Sequence, residues 1–223
     1  MSKKNISQEK IIQSFLSSAF EKSAGATSLA DISESLEIKK ASLYNHFESR
    51  DAMYNATLLH CKKQIEEIHF LNEKTLESIK AGKAAPLSLF KKLITRFFEL
   101  YEADPLFAVY VFVHSEQYFN KNALQIVEDE LERITNEIKS ILVEFAANNK
   151  IFKKSDKEFK EAALSITTTI FHQRDLYIAR RKEIMRQNPE SGAGSLFALP
   201  TDESAVNKAA KLVESIVKSL LTE

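Results

Sequence analysis

The chain has 223 residues and balances 31 Lys plus Arg against 31 Asp plus Glu. That length is ample for a buried core in one or two domains, and the neutral balance excludes nucleic-acid binding through overall basicity. Within residues 1–60 seven basic side chains likewise meet seven acidic ones, so any basic surface must come from placement rather than composition.

Four Gly, four Pro and no Trp suit helices with few connections. No run approaches the ~20 apolar residues of a membrane span. The stretch MSKKNISQEK lacks an apolar signal core, and the single cysteine, Cys61, cannot form an internal disulfide. A cytoplasmic protein without membrane contact is the expectation.

Residues 1–6 read as an arm in which Lys3 and Lys4 either touch phosphates or are simply solvated. Ser7 is placed to cap a helix running to about Ser23, with Ile11, Ile12, Phe15, Leu16, Ala19 and Phe20 as its buried stripe. Thr27 or Ser28 caps the next helix, in which Leu29, Ile32 and Leu36 recur at helical spacing and Asp31 sits near the positive end. Glu37 occupies the following turn. Ile38, Leu43 and Phe47 are the apolar positions of a third helix. The residues between them, Lys39, Lys40, Ser42, Tyr44, Asn45 and His46, are rich in hydrogen-bond donors and lack acids, which suits a helix lying against phosphates and base edges.

Ile38, the string Ser42-Leu43-Tyr44-Asn45-His46-Phe47, and then Ser49-Arg50 and Met53 together resemble the recognition segment of the tetracycline-repressor (TetR) family. Gly25, Thr27 and Ile32 fall where that family places a turn glycine, a capping hydroxyl and a core aliphatic. The motif covers about the first fifth of the chain; the remainder is similar only in its plan of long helices. Two positions depart from the pattern. Glu37 stands where the family commonly has Gly, and Ser33 where it has a small Ala. If Glu37 takes a left-handed conformation, its side chain costs roughly 1 kcal/mol.

The resemblance implies an all-α protein. Residues 1–50 form a helix-turn-helix DNA-binding domain of three helices, linked through a helix over 50–71, and residues 51–223 form a helical ligand-binding and dimerisation domain. Thr27, Ser42, Tyr44, His46 and Arg50 then hold phosphates, Lys40, Ala41 and Asn45 face bases, and Lys39 lies near either. The implied partners are double-stranded DNA carrying a palindromic operator, a second copy of the chain, and a small-molecule ligand of unknown identity. A helical dimer that binds a small molecule or a protein, with no functional DNA contact, is the alternative.

Met53, Tyr54, Thr57, Leu58, Cys61, Ile65 and Ile68 continue one helical pattern from Arg50 to about Leu71. Cys61 on it is a thiol sensor or an indifferent buried cysteine. Residues 72–85 read as a helix end and a connection. Pro86 suits the first turn of a helix reaching about Tyr101. Asp104-Pro105 starts another that is apolar nearly all round and is expected at the centre of the C-terminal domain.

A long helix spans Asn120 to Asn149. Asp156 is expected to cap the next one, which closes on the basic run Arg180-Arg181-Lys182. The stretch QNPESGAGSLFALPTDES reads as a loop. The last helix carries Ala205, Ala209, Leu212, Val213, Ile216, Val217, Leu220 and Leu221. This wide stripe serves either packing within the monomer or a subunit interface, two helices from each chain making a four-helix bundle.

Enzyme chemistry has no signature here: no phosphate-binding glycine loop, no His pair at metal spacing and no nucleophile elbow. No metal or cofactor is expected. Phe107, Tyr110, His114, Phe171, His172 and Arg174 place polar groups within strongly apolar helices, which makes them candidates for a ligand pocket. Satisfied core or interface groups are the competing reading.

Overall fold

The computed structural model describes residues 6–188 and 199–222. The Lys3-Lys4 arm and the central part of the expected loop after Gln187 lie outside them. The described residues form ten helices: α1 Gln8–Lys22, α2 Leu29–Ser35, α3 Lys40–Leu43, α4 Arg50–Glu66, α5 Glu73–Lys80, α6 Pro86–Glu99, α7 Leu106–Glu116, α8 Lys121–Ala147, α9 Asp156–Gln187 and α10 Glu203–Lys218. Among them the one extended pairing is an isolated antiparallel bridge, Ile151 with Leu221. The fold is all-α.

Local chemistry explains most boundaries. The Ser7 hydroxyl accepts from the Lys10 N–H at the start of α1, and Asn72 accepts from Thr75 N–H at the start of α5. Pro86 stands in the first turn of α6, where its missing N–H is not needed. Three helix ends close with the same pair of bonds. After α2, Ile38 N–H donates to the Ser33 carbonyl (2.9 Å) and Glu37 N–H to Glu34 (3.0 Å). After α5 the pair is Lys83 to Ser78 and Gly82 to Ile79; after α8 it is Lys150 to Phe145 and Asn149 to Ala146. This arrangement needs a left-handed residue just past the helix. Glu37, Gly82 and Asn149 supply it, with φ of +54°, +69° and +53°.

The chain divides into two compact units, Met1–Glu67 with Pro105–Glu128, and Ile68–Asp104 with Asp129–Glu223. Helix α8, 27 residues or about 40 Å long, has its first turns in one and the rest in the other. The core of the first unit gathers Ile11, Phe15, Ile32, Leu43, Met53 and Cys61 with Val109, Phe112 and Val113 of α7. Each large apolar side chain buried there contributes roughly 1.5–3 kcal/mol. The apolar helix α7 thus packs on α1 and α4, not within a C-terminal core. Its all-round apolarity foretold burial but not the partner.

In the second unit, α10 packs on α6 and α9 and buries Val206, Ala209, Ala210, Val213 and Val217. Its stripe therefore packs largely within the chain, with Leu212 left exposed.

Several boundaries differ from the sequence reading. The third helix covers only Lys40–Leu43, with Ile38 before it and Phe47 beyond it. Helix α4 stops at Glu66, not near Leu71. Beyond it the Glu137 carboxylate accepts from Phe70 N–H (2.7 Å) and Leu71 N–H (2.9 Å), and Arg96 donates to the His69 and Phe70 carbonyls. Those side chains replace the bonds a longer helix would make. Residues 73–80 form a helix of their own, anchored by buried Ile79. Ser155, not Asp156, caps α9, in a reciprocal pair with Glu158. And α9 continues past the basic run to Gln187, stabilised at its end by the Glu183–Arg186 ion pair (2.7 Å).

Candidate nucleic-acid interface

The first unit builds the candidate site from α1 to α4. Ser28 and Asp31 cap α2 reciprocally, the Ser28 N–H donating to the Asp31 carboxylate at 2.7 Å. Lys22 lies 2.5 Å from the same carboxylate. The Lys22 ammonium, followed by the Ser28 N–H, holds Asp31 well below the usual carboxylate range. One acid of this balanced domain is thereby matched within it.

Helix α3 spans only four residues and is followed by tight turns through His46. Leu43 is fully buried and Phe47 nearly so, which turns the intervening side chains outward. Lys39, Lys40, Ala41, Tyr44 and Asn45 are all exposed, while Ser42 and His46 are half-buried. No acid occurs between Glu37 and Glu48. Lys39 is the N-cap residue of α3, and its side chain, a donor only, makes no cap bond there. Tyr44 remains 52% exposed, too open for a core residue and well presented for a backbone contact. The segment is tied down at its far end, where the Gln8 side-chain amide donates to the His46 carbonyl at 2.9 Å. Sequence reasoning missed Gln8: the pair is 38 residues apart and no local pattern announces it.

Two of the expected phosphate-holding residues are placed differently from the rest. Thr27 is 1% exposed, and its hydroxyl donates to the Ser23 carbonyl at 2.9 Å. Arg50 Nε donates to the Thr27 carbonyl at 2.9 Å, and its Nη2 to the Ala24 carbonyl. Its guanidinium lies 5.5 Å from the centre of the Phe15 ring. Both side chains are turned into the α1–α2 connection.

The ligand candidates divide between the units. Phe107, Tyr110 and His114 lie on α7 in the first. There Phe107 meets Phe20 edge-on at 5.2 Å, and Tyr110 stacks on His114 at 3.9 Å. Phe171, His172 and Arg174 lie on α9 in the second. Arg174 is fully buried and grips Glu130 with two nitrogens (2.7 and 3.1 Å), and the Tyr101 hydroxyl donates to the same carboxylate at 2.8 Å. Phe97, Tyr101 and Phe171 ring the guanidinium at 5.1, 4.8 and 4.1 Å. Burial, then the Glu130 charge, pushes the Tyr101 hydroxyl well above its ordinary pKa. His172 is exposed.

Two clefts open elsewhere. One, of about 300 Å³ in the first unit, is lined by Asn55, Leu58, Leu59 and Lys62 of α4 with Asn122, Gln125 and Ile126 of α8. The other, of about 520 Å³ in the second unit, lies between Leu71, Leu76 and the Asp129–Ser140 stretch of α8. Neither is lined by the six candidates. Among the described residues no group of His, Cys, Asp and Glu has metal-binding geometry, and no helix is long and apolar enough to cross a membrane.

An all-α chain with a short outward helix held behind a tight turn is a helix-turn-helix protein. Comparison with known proteins carries this further. Residues 16–57 match the family model for bacterial regulatory proteins of the tetR family. The biofilm operon icaADBC HTH-type negative transcriptional regulator IcaR of Staphylococcus aureus strain Newman is 36% identical over 66 residues, covering 30% of this chain and 36% of that protein. The chain thus spans about a third of the length of the curated relative it matches.

Solved structures extend the likeness in fold. A transcriptional regulator from Rhodococcus sp. RHA1 has a TM-score of 0.59 at 12% identity, over 98% of this chain and 100% of that one. A TetR transcription regulator from Haloarcula marismortui has 0.58 at 11%, over 96% and 98%. Residues 16–57 are thus similar to the N-terminal domain of tetR-family regulators, and the chain shares its fold with such regulators over nearly its full length.

Proposed function

We propose that the chain is a homodimeric transcriptional repressor in the cytoplasm, released from a palindromic operator by a small, largely apolar molecule. The acid-free run Lys39–Asn45, with Lys39, Lys40, Ala41, Tyr44 and Asn45 exposed, carries this reading. Lys40, Ala41 and Asn45 face bases, Ser42, Tyr44 and His46 hold phosphates, and Lys39 serves either role. Repression, rather than activation, draws on the negative regulator matched in Staphylococcus aureus.

Two copies held back to back present two such segments to successive major grooves about 34–36 Å apart. For the second copy, α9 offers one outward face of Leu164, Thr168, His172, Asp175, Leu176 and Ala179, all exposed. Spacings of three and four residues align them on one side of the helix. Asp175 is the one carboxylate in that set. Together with Leu212 of α10, this face supports a bundle of two helices from each subunit.

The α7 group Phe107, Tyr110 and His114 and the α9 group Phe171, His172 and Arg174 remain the proposed ligand-responsive residues. A ligand shifts the DNA-binding equilibrium only by its unequal affinity for two states of the protein.

The test is a pair of substitutions read on duplex DNA. Tyr44→Ala weakens binding to all sequences, whereas Asn45→Ala changes the preferred site. Affinities for selected and random duplexes that match the parent's in both variants would refute the assignment. The charge balance of residues 1–60 favours the other reading, a helical binding dimer without DNA contact; salt-dependent retention on duplex DNA separates the two.

A further inference from the structure

Arg50 opens α4 just after the recognition segment, and the resemblance described above implies that it holds a phosphate. Its geometry points the other way. The Nε and Nη2 hydrogens are directed at two carbonyls, Thr27 and Ala24, on the α1–α2 connection, and the guanidinium carbon lies over the ring of Phe15, a fully buried residue of α1, at 5.5 Å. Asp51, 3.9 Å away, is the flanking carboxylate. Thr27 adds a second tie to the same connection through its own hydroxyl.

These bonds fix the residues that lead directly into the Ser28 cap of α2. Helix α2 in turn carries the turn at Glu37 and the exposed run from Lys39. We infer that Arg50 is a positioning residue: it sets the pose of the helix-turn-helix pair by clamping the α1–α2 connection to α4, and it does not neutralise a phosphate. This rests on the DNA-binding reading above.

The two roles differ in measurable ways. A phosphate contact by a cation contributes about 0.9 to the slope of log affinity against log salt. A lysine supplies that charge equally well, but it lacks the rigid fork that holds two carbonyls and lies over a ring. The experiment therefore measures parent, Arg50→Gln, Arg50→Lys and Tyr44→Ala, with the Arg50→Gln/Tyr44→Ala double variant. The probe is a random-sequence duplex of roughly 30 base pairs, three helical turns, titrated over a range of salt. Thermal unfolding of each variant confirms that binding is read on folded protein.

On this account both Arg50 variants bind about tenfold more weakly, as expected for losing charge-assisted bonds to two carbonyls, and both keep the parental salt slope. Arg50→Gln and Tyr44→Ala combine non-additively, because the first displaces the surface on which the second acts; a mere loss of folded molecules adds instead. A slope shallower by about 0.9 in Arg50→Gln, with parental affinity in Arg50→Lys, overturns the assignment in favour of a phosphate contact. Strict additivity with Tyr44→Ala overturns it in favour of general destabilisation. A parent with no salt-dependent affinity for the duplex defeats the DNA-binding reading itself, an outcome distinct from either.

Discussion

Replacing Glu37 with glycine should stabilise the protein, an unusual result for a substitution that removes a whole side chain. Glu37 holds φ +54° at the point where α2 must end, with the bonds from Ile38 to Ser33 and from Glu37 to Glu34 closing the helix. A side chain in that conformation costs roughly 1–2 kcal/mol through contact of its Cβ with the backbone. Glycine removes that contact but makes the unfolded chain more mobile, at about 0.5–1 kcal/mol. The difference leaves a net gain centred at about 1 kcal/mol, within about 0–1.5 kcal/mol. At this chain length each kcal/mol corresponds to a Tm shift of roughly 2–4 °C. Urea unfolding followed by circular dichroism reads the change. Glu37→Ala is the control, because alanine keeps the Cβ and gains nothing. Glu37→Asn should recover part of the gain, as Asn149 already serves the same position after α8. A loss of stability in Glu37→Gly, or an equal gain in Glu37→Ala, would show that the turn is not strained as argued.

The buried Glu130–Arg174 pair predicts a strongly unequal pair of outcomes. Removing one partner, as in Arg174→Met, leaves a buried charge unmatched and costs about 3–5 kcal/mol, whereas Glu130→Leu with Arg174→Met is close to neutral. Denaturant midpoints check this, and a single-variant loss below ~1 kcal/mol would contradict the packing described. Cys61 is fully buried, and that burial pushes its thiol up to about 12 from 9.0. The folded protein should therefore resist thiol-specific reagents near pH 8 and react only on unfolding. The sign is that of a raised acid: the neutral thiol favours the fold, and this contribution declines as pH rises from 9 toward 12. Rapid stoichiometric labelling of native protein would show Cys61 to be an accessible thiol.

What the sequence displayed depended on how local the signal was. Ser7, Ser28 and Pro86 announce helix starts because a cap acts within three or four residues. The alternation of Leu43 and Phe47 with Lys40, Tyr44 and Asn45 shows which side of the third helix turns outward, and the structure has the same division. The end of α4 was hidden because Glu137, far along the chain, holds the backbone at Phe70 and Leu71. Arg50 shows the same limit at the candidate site: its charge is visible in the sequence, but the two carbonyls that hold it are not. Arg174 reads in the sequence as a polar group within an apolar helix, and nothing nearby in the chain reveals Glu130 beside it. The apolar surface of α7 likewise announced burial without naming α1 and α4 as its partners.

The central claim is that the run from Lys39 to Asn45 docks on duplex DNA. Its most direct test compares the parent with a Lys39→Ala/Lys40→Ala variant for DNA retention between about 50 and 200 mM salt. The parent should hold duplex DNA at the low end and release it steeply, and the variant should bind far more weakly with a slope shallower by up to about two. Retention by the variant equal to the parent's at every salt concentration, or none by either protein at the lowest, would contradict the account.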